Sequence, residues 1–204
     1  MKKKTRPVPE SMRDTSRWAM NRREFLKKTG GMAALVVLPY GGYRLGEWIS
    51  GERMTGQTSR FKLTASQRQR LENVQDILFP SEPDAPGARD INAAEYLQAV
   101  LLDPRMDPEE MDFIINGLNW LEEEALERWE KSYNNMLPLE KEMLIEHVSG
   151  LDWGSSWLST LLLFIFEALL SDPLYGGNPD GIGWKWLGYT PGQPRPKKKY
   201  DAYL

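Results

Sequence analysis

The most apolar run in the chain, residues 157–170, is followed at once by a stretch that cannot continue it. Residues 171–192 read SDPLYGGNPDGIGWKWLGYTPG, with five glycines and three prolines between Pro173 and Pro191. A helix that is apolar nearly all round belongs in the middle of a bundle. Glycine then admits positive φ and close backbone approach, and proline fixes φ and stops helices. The expectation is an ordered, aromatic-studded loop, neither helix nor strand, packed over a helical domain. Tyr175, Trp184, Trp186 and Tyr189 each bury roughly 150–250 Å² when packed, too much to leave in water. Either the loop folds back on its own domain or it presents these rings to a partner. In an extended segment Trp184 and Trp186, two apart, would point to one side, and one or both are expected in the interface with a partner.

The rest of the chain supplies helices to surround that run. Thr64-Ala65-Ser66-Gln67 reads as a capping box, followed by Leu71, Val74, Ile77 and Leu78 at helical spacing and stopped by Pro80. A second helix starts at Asn92-Ala93-Ala94-Glu95 and places Ala93, Tyr96, Leu97, Val100 and Leu101 on one face. Asp107-Pro108-Glu109-Glu110 combines a cap, a first-turn proline and acids at the positive dipole end. Met111, Ile114, Ile115, Leu118, Leu121, Ala125 and Trp129 carry that third helix on. Residues 139–148 form a fourth, and Ser155 or Ser156 would cap the fifth. No strand alternation is visible. The fold expected is all-α, one domain of about five helices over residues 61–192, with the long Gly/Trp-rich loop at 171–192 wrapped over it. The 41% hydrophobic content is enough for a real core. The tail, residues 193–204, is basic and expected to be loose.

The motif Asp172-Pro173-x-Tyr175-Gly176-Gly177-Asn178, with Gly183-Trp184, Trp186 and Gly188-Tyr189 after it, resembles the C-terminal signature of the gluconate 2-dehydrogenase subunit 3 family. These are the small subunits of membrane-bound, FAD-dependent sugar and sugar-acid dehydrogenases. The family pattern often ends in Phe-Pro-Gly, whereas Tyr189-Thr190-Pro191-Gly192 carries an extra residue. The resemblance implies a large subunit that holds FAD and oxidises the substrate, and a multihaem cytochrome c subunit, carrying haem c, that passes electrons to quinone. It implies a small subunit that is not catalytic alone and that aids export and assembly of the large one.

The net charge of −3 conceals an asymmetry: residues 1–28 sum to +7 and the remainder to −10. The basic residues stop before the folded part, so they form a leader and not a nucleic-acid surface. Asn21-Arg22-Arg23-Glu24-Phe25-Leu26-Lys27 resembles a twin-arginine export signal, with Asn21 where Ser or Thr is usual. Arg22, Arg23, Phe25, Leu26 and Lys27 carry the match. The uncharged segment 29–43 has 15 residues, which suits a signal h-region and falls short of the roughly 20 needed to span a membrane. The division expected is a leader over 1–43, with its basic part at 1–28, then a linker over 44–60. Residues 1–20, polar, basic and proline-containing, are expected to be disordered. The location implied is periplasmic, with the twin-arginine translocase as a partner.

Composition also limits the chemistry. Cysteine is absent, which excludes thiolate metal sites, iron–sulfur clusters and covalent c-type haem attachment in this chain. His147 is the single histidine. It ends a helix, where it complements the negative dipole end, and no Gly-x-Ser-x-Gly elbow exists to pair with it. Gly176-Gly177 with Gly181 and Gly183 is no phosphate loop, since no Lys-Ser/Thr follows. No cofactor-binding, metal or catalytic residue is assigned. Asp172, Asn178 and Asp180 offer oxygen ligands, but not at the spacing of a calcium loop. Glu167, inside the apolar helix, is expected to be a buried structural acid that accepts N–H groups from the loop. Two other readings stay open: a stand-alone hydrolase or isomerase using Glu167 with Asp172, and an adaptor for some other exported protein.

Overall fold

The computed structural model describes residues 6–13, 61–103 and 105–198. The motif at 21–27, the apolar segment 29–43 and the linker 44–60 lie outside the described residues. Among the described residues seven α-helices follow in order: α1 Glu10–Arg13, α2 Ala65–Leu78, α3 Ala93–Leu101, α4 Pro108–Trp129, α5 Pro138–Ser149, α6 Asp152–Leu170 and α7 Ile182–Leu187. Among the described residues there is no strand, only an isolated bridge between Glu82 and Ala85. The protein is all-α, as its periodicity requires.

The helix starts follow their local chemistry. At α2 the Thr64 hydroxyl accepts the Gln67 N–H at 3.2 Å and Gln67 Oε1 accepts the Thr64 N–H at 3.0 Å, closing the capping box. At α4 the Asp107 carboxylate accepts the Glu109 N–H at 2.8 Å ahead of Pro108. The start of α6 differs from expectation. It begins at Asp152, after an N-cap Leu151 that makes no side-chain cap bond. Ser156 is buried inside the helix, where its hydroxyl donates to the Asp152 carbonyl at 3.2 Å. Trp153 and Trp157 fill the first turns, so burial of indole area, and not a serine cap, fixes the helix start.

Helix α6 is the axis of the molecule, in contact with α1, α2, α3, α4, α5 and α7. With a mean hydropathy of 1.4 it is long and apolar enough to cross a membrane, but 72% of it is buried by the other helices. It separates two apolar clusters. The larger holds Leu71, Leu97, Ile114, Leu118, Leu121, Tyr133, Leu144, Val148, Trp157 and Leu161. The smaller, beneath the C-terminal loop, holds Phe79, Ile91, Ile165, Ala168 and Leu169, with Trp186 packed against it. Helices α4 and α6 cross at Gly117 and Trp157. The Trp157 indole N–H donates to the Ile114 carbonyl at 3.0 Å, and a Cβ on Gly117 would lie 2.1 Å from that nitrogen.

The N-terminus corrects the sequence expectation. Residues 6–13 are not disordered: Met12 is buried in the larger core, and Val8 packs against it. The contacts responsible join residues more than 100 positions apart, which no local composition can report.

The helix crossing yields a test. Gly117→Ala puts a methyl group into a rigid, fully buried indole. We expect a loss of about 1–3 kcal/mol of stability, overpacking outweighing the better helix propensity of alanine. Urea unfolding followed by tryptophan fluorescence measures it. A change near zero would mean that the two helices do not cross at Gly117.

Candidate functional site

The residues that sequence reasoning singles out converge on the C-terminal end of α6. A helix leaves its last four carbonyls without intrahelical donors, and here that end lies against protein rather than water. The Ser171 N–H donates to the Glu167 carbonyl at 2.8 Å, and the Ser171 hydroxyl to the Ala168 carbonyl at 3.0 Å. The Trp184 indole N–H reaches the Leu170 carbonyl at 2.9 Å. Asn178 Nδ2 donates to the Ser171 carbonyl at 2.9 Å. The loop at 171–192 is therefore a C-terminal cap for the central helix.

Its backbone is not a plain loop. Pro173–Tyr175 and Pro179–Gly181 are 3₁₀ turns, and Ile182–Leu187 is the short helix α7. Helical backbone corrects the extended geometry expected for Trp184 and Trp186. The two rings point different ways: Trp184 is 8% exposed, while Trp186 is half-buried and meets Phe79 edge-on at 6.4 Å. Tyr175 is half-buried and Tyr189 is 52% exposed.

Asn178 is the pivot. It is fully buried at φ +51°, a left-handed conformation that asparagine tolerates better than most residues. Its Oδ1 accepts the Gly183 N–H at 2.7 Å, and its own N–H donates to the Ile91 carbonyl at 2.9 Å. Gly183 is glycine because a Cβ there would stand 2.3 Å from the Leu169 carbonyl oxygen. One asparagine thus joins α6, α7 and the segment before α3. Gly177 is buried beside it, and Gly176 and Gly188 take positive φ at the ends of the first 3₁₀ turn and of α7.

The carboxylates also have structural partners. Asp172 caps the first 3₁₀ turn by accepting the Leu174 N–H at 3.0 Å. Its two oxygens also take the Arg195 guanidinium at 3.0 and 3.1 Å. That pair holds the Asp172 carboxyl below the usual range. The pair is intact above the ordinary carboxylate range and is lost as pH falls through the lowered value. Arg195 also lies 5.1 Å over the Trp184 ring, so the tail expected to be loose is pinned at this point. Glu167 is half-buried, not buried. The Tyr96 hydroxyl donates to it at 3.4 Å. Burial, then the neighbouring carboxylate, pushes the Tyr96 phenol well above its ordinary range.

Among the described residues no three of His, Cys, Asp and Glu gather as a metal cluster. His147 is half-buried, with Nε2 3.6 Å from a Glu124 oxygen. A shallow cleft of about 170 Å³ lies between α2 and α3, lined by Glu72, Asp76, Arg89 and Glu95 among others. It contains none of the signature residues.

The cap predicts how its pivot responds to substitution. Asn178→Ala removes both amide bonds and leaves the Ser171 carbonyl without that donor, at a cost of about 2–3 kcal/mol. Asn178→Gly loses the same bonds but accepts positive φ freely, so it should be about 1 kcal/mol milder. Urea midpoints of the two variants measure the difference. Equal and negligible losses would show that the amide does not close the cap.

Comparison with curated proteins and with solved structures returns no significant match. A family model described as gluconate 2-dehydrogenase subunit 3 matches residues 65–192, from the first turn of α2 to the end of the C-terminal cap. The chain belongs to the gluconate 2-dehydrogenase subunit 3 family, accessory subunits of gluconate dehydrogenase complexes.

Proposed function

We propose that this chain is the non-catalytic small subunit of a periplasmic, FAD-dependent gluconate or sugar dehydrogenase. It aids the twin-arginine export, assembly and stability of the large flavoprotein subunit. The observation that carries this reading is the family match over residues 65–192, whose signature residues Asn178 and Trp184 cap their own central helix. A body built this way offers surface and rigidity to a partner.

The division of labour follows from composition. Without cysteine and with one histidine, this chain lacks the usual ligands for redox metals. The flavin would reside in the large subunit and haem c in a cytochrome subunit. Tyr189, and Leu137, Leu139 and Met143 at the start of α5, are exposed apolar side chains available for contact with the flavoprotein. Glu167 and Asp172 already have partners in Tyr96 and Arg195, so no observation favours the alternative of a stand-alone hydrolase or isomerase. Nor does any favour an adaptor for an unrelated exported protein.

The escort role is tested through the motif at 21–27. FAD is acquired in the cytoplasm, and a folded flavoprotein needs a route that carries folded cargo. Arginine offers a planar five-donor fork where lysine offers one rotating ammonium. Arg22→Lys with Arg23→Lys keeps the leader's charge and should leave both this subunit and its FAD partner in the cytoplasm. Fractionation with dehydrogenase assays on each side of the membrane reads the outcome. Normal periplasmic activity of the partner in the double variant would sink the escort role.

A further inference from the structure

The segment 6–13 precedes the arginine pair at 22 and 23, yet it is built into the helical body. The Arg6 side chain is 7% exposed and donates to Glu124 at 2.8 Å and to Glu123 at 2.9 Å. Its guanidinium carbon stands 4.7 Å over the Trp153 ring and 5.6 Å from that of Trp120. The two indoles meet edge-on at 5.3 Å. Two adjacent carboxylates beside two aromatic rings suit a planar, permanently charged group that both stacks and forks. Six residues on, Met12 is 2% exposed, with its sulfur 3.1 Å from the Thr160 hydroxyl. The site thus has a cage for a guanidinium and an apolar socket for a methionine. Pro7 and Pro9 between them restrict the free segment and lower the entropy lost on docking.

The location of this segment in the leader makes its docking incompatible with export, a step that rests on the export reading above. A basic region ahead of an apolar signal segment stays on the cytoplasmic side. Residues 6–12 belong to that region. The cage belongs to the body, which follows the apolar segment 29–43 and is carried across. A hydrocarbon layer about 30 Å thick would then separate ligand from site. We propose that Trp120, Trp153, Glu123 and Glu124 form a cis-docking site for the leader's Arg-Pro-Val-Pro-x-x-Met segment, occupied before export and vacated by it. The strap is a latch that opposes translocation. Its release leaves an acidic aromatic cage on the exported body, shaped for an arginine-bearing peptide.

Two measurements on the full chain test this. Hydrogen exchange of the protein from the cytoplasm should show the Met12 amide, bonded to the Pro9 carbonyl, protected. Arg6→Ala should lose that protection while α4 and α6 keep theirs, and Arg6→Lys should fall between. Pulse-chase fractionation should then show Arg6→Ala, and separately Glu123→Gln with Glu124→Gln, exported faster than wild type. The rate should rise with the undocked fraction, about threefold or more. An unprotected strap in the wild type would overturn the proposal. An undocked Arg6→Ala exported at the wild-type rate would overturn the latch alone and leave the export reading standing. A wild-type chain that never leaves the cytoplasm, indistinguishable from Arg22→Lys with Arg23→Lys, would overturn both.

Discussion

The structure depends on satisfying the C-terminal carbonyls of a helix placed in the middle of the protein. Helix α6 is surrounded, and its C-terminal end is partly shielded from water by the loop that follows it. An unpaired buried carbonyl costs about 1–3 kcal/mol, and several in one place would cancel much of a small domain's stability. The chain answers with donors from three sources: the Ser171 backbone and hydroxyl, the Asn178 amide and the Trp184 indole. Each requires a particular residue at a particular place. The indole must lie 14 positions after the carbonyl it reaches, and Gly183 must have no side chain for the two segments to approach.

This explains which parts of the fold were legible in the sequence. The five main helices announce themselves through apolar periodicity and local caps, as at Thr64-Gln67 and Asp107-Pro108. The position of the signature loop was legible as well, since its glycines and prolines exclude a long helix. Its internal form was not. Asn178 and Gly183 create a place where Ile182–Leu187 turns helical, and the stabilisation comes from Leu169, Leu170 and Ile91, which lie far back in the chain. Trp184 was therefore open to being read as partner surface, when its indole caps its own chain.

Long-range pairing hid the remaining features too. By composition residues 1–20 resemble a disordered basic leader, and by composition the tail is a loose cationic end. In each case one arginine finds an acid beside a tryptophan: Arg6 at Glu123, Glu124 and Trp153, and Arg195 at Asp172 and Trp184. A scan for local patterns sees only charge at such positions, because the acid and the ring that give the charge a fixed place are supplied by other segments.

The Arg6 cage also reports on the state of the body. Its walls come from α4 and α6, and Trp153 packs on Trp157 at 6.1 Å, the ring that fixes the crossing with Gly117. Neither wall is in place until the two helices have crossed. A segment that binds only the folded body stabilises that body by mass action, so its docking requires a folded body. The segment before the apolar stretch thus makes a contact whose two walls, on α4 and α6, come together only when the central pair of helices has packed.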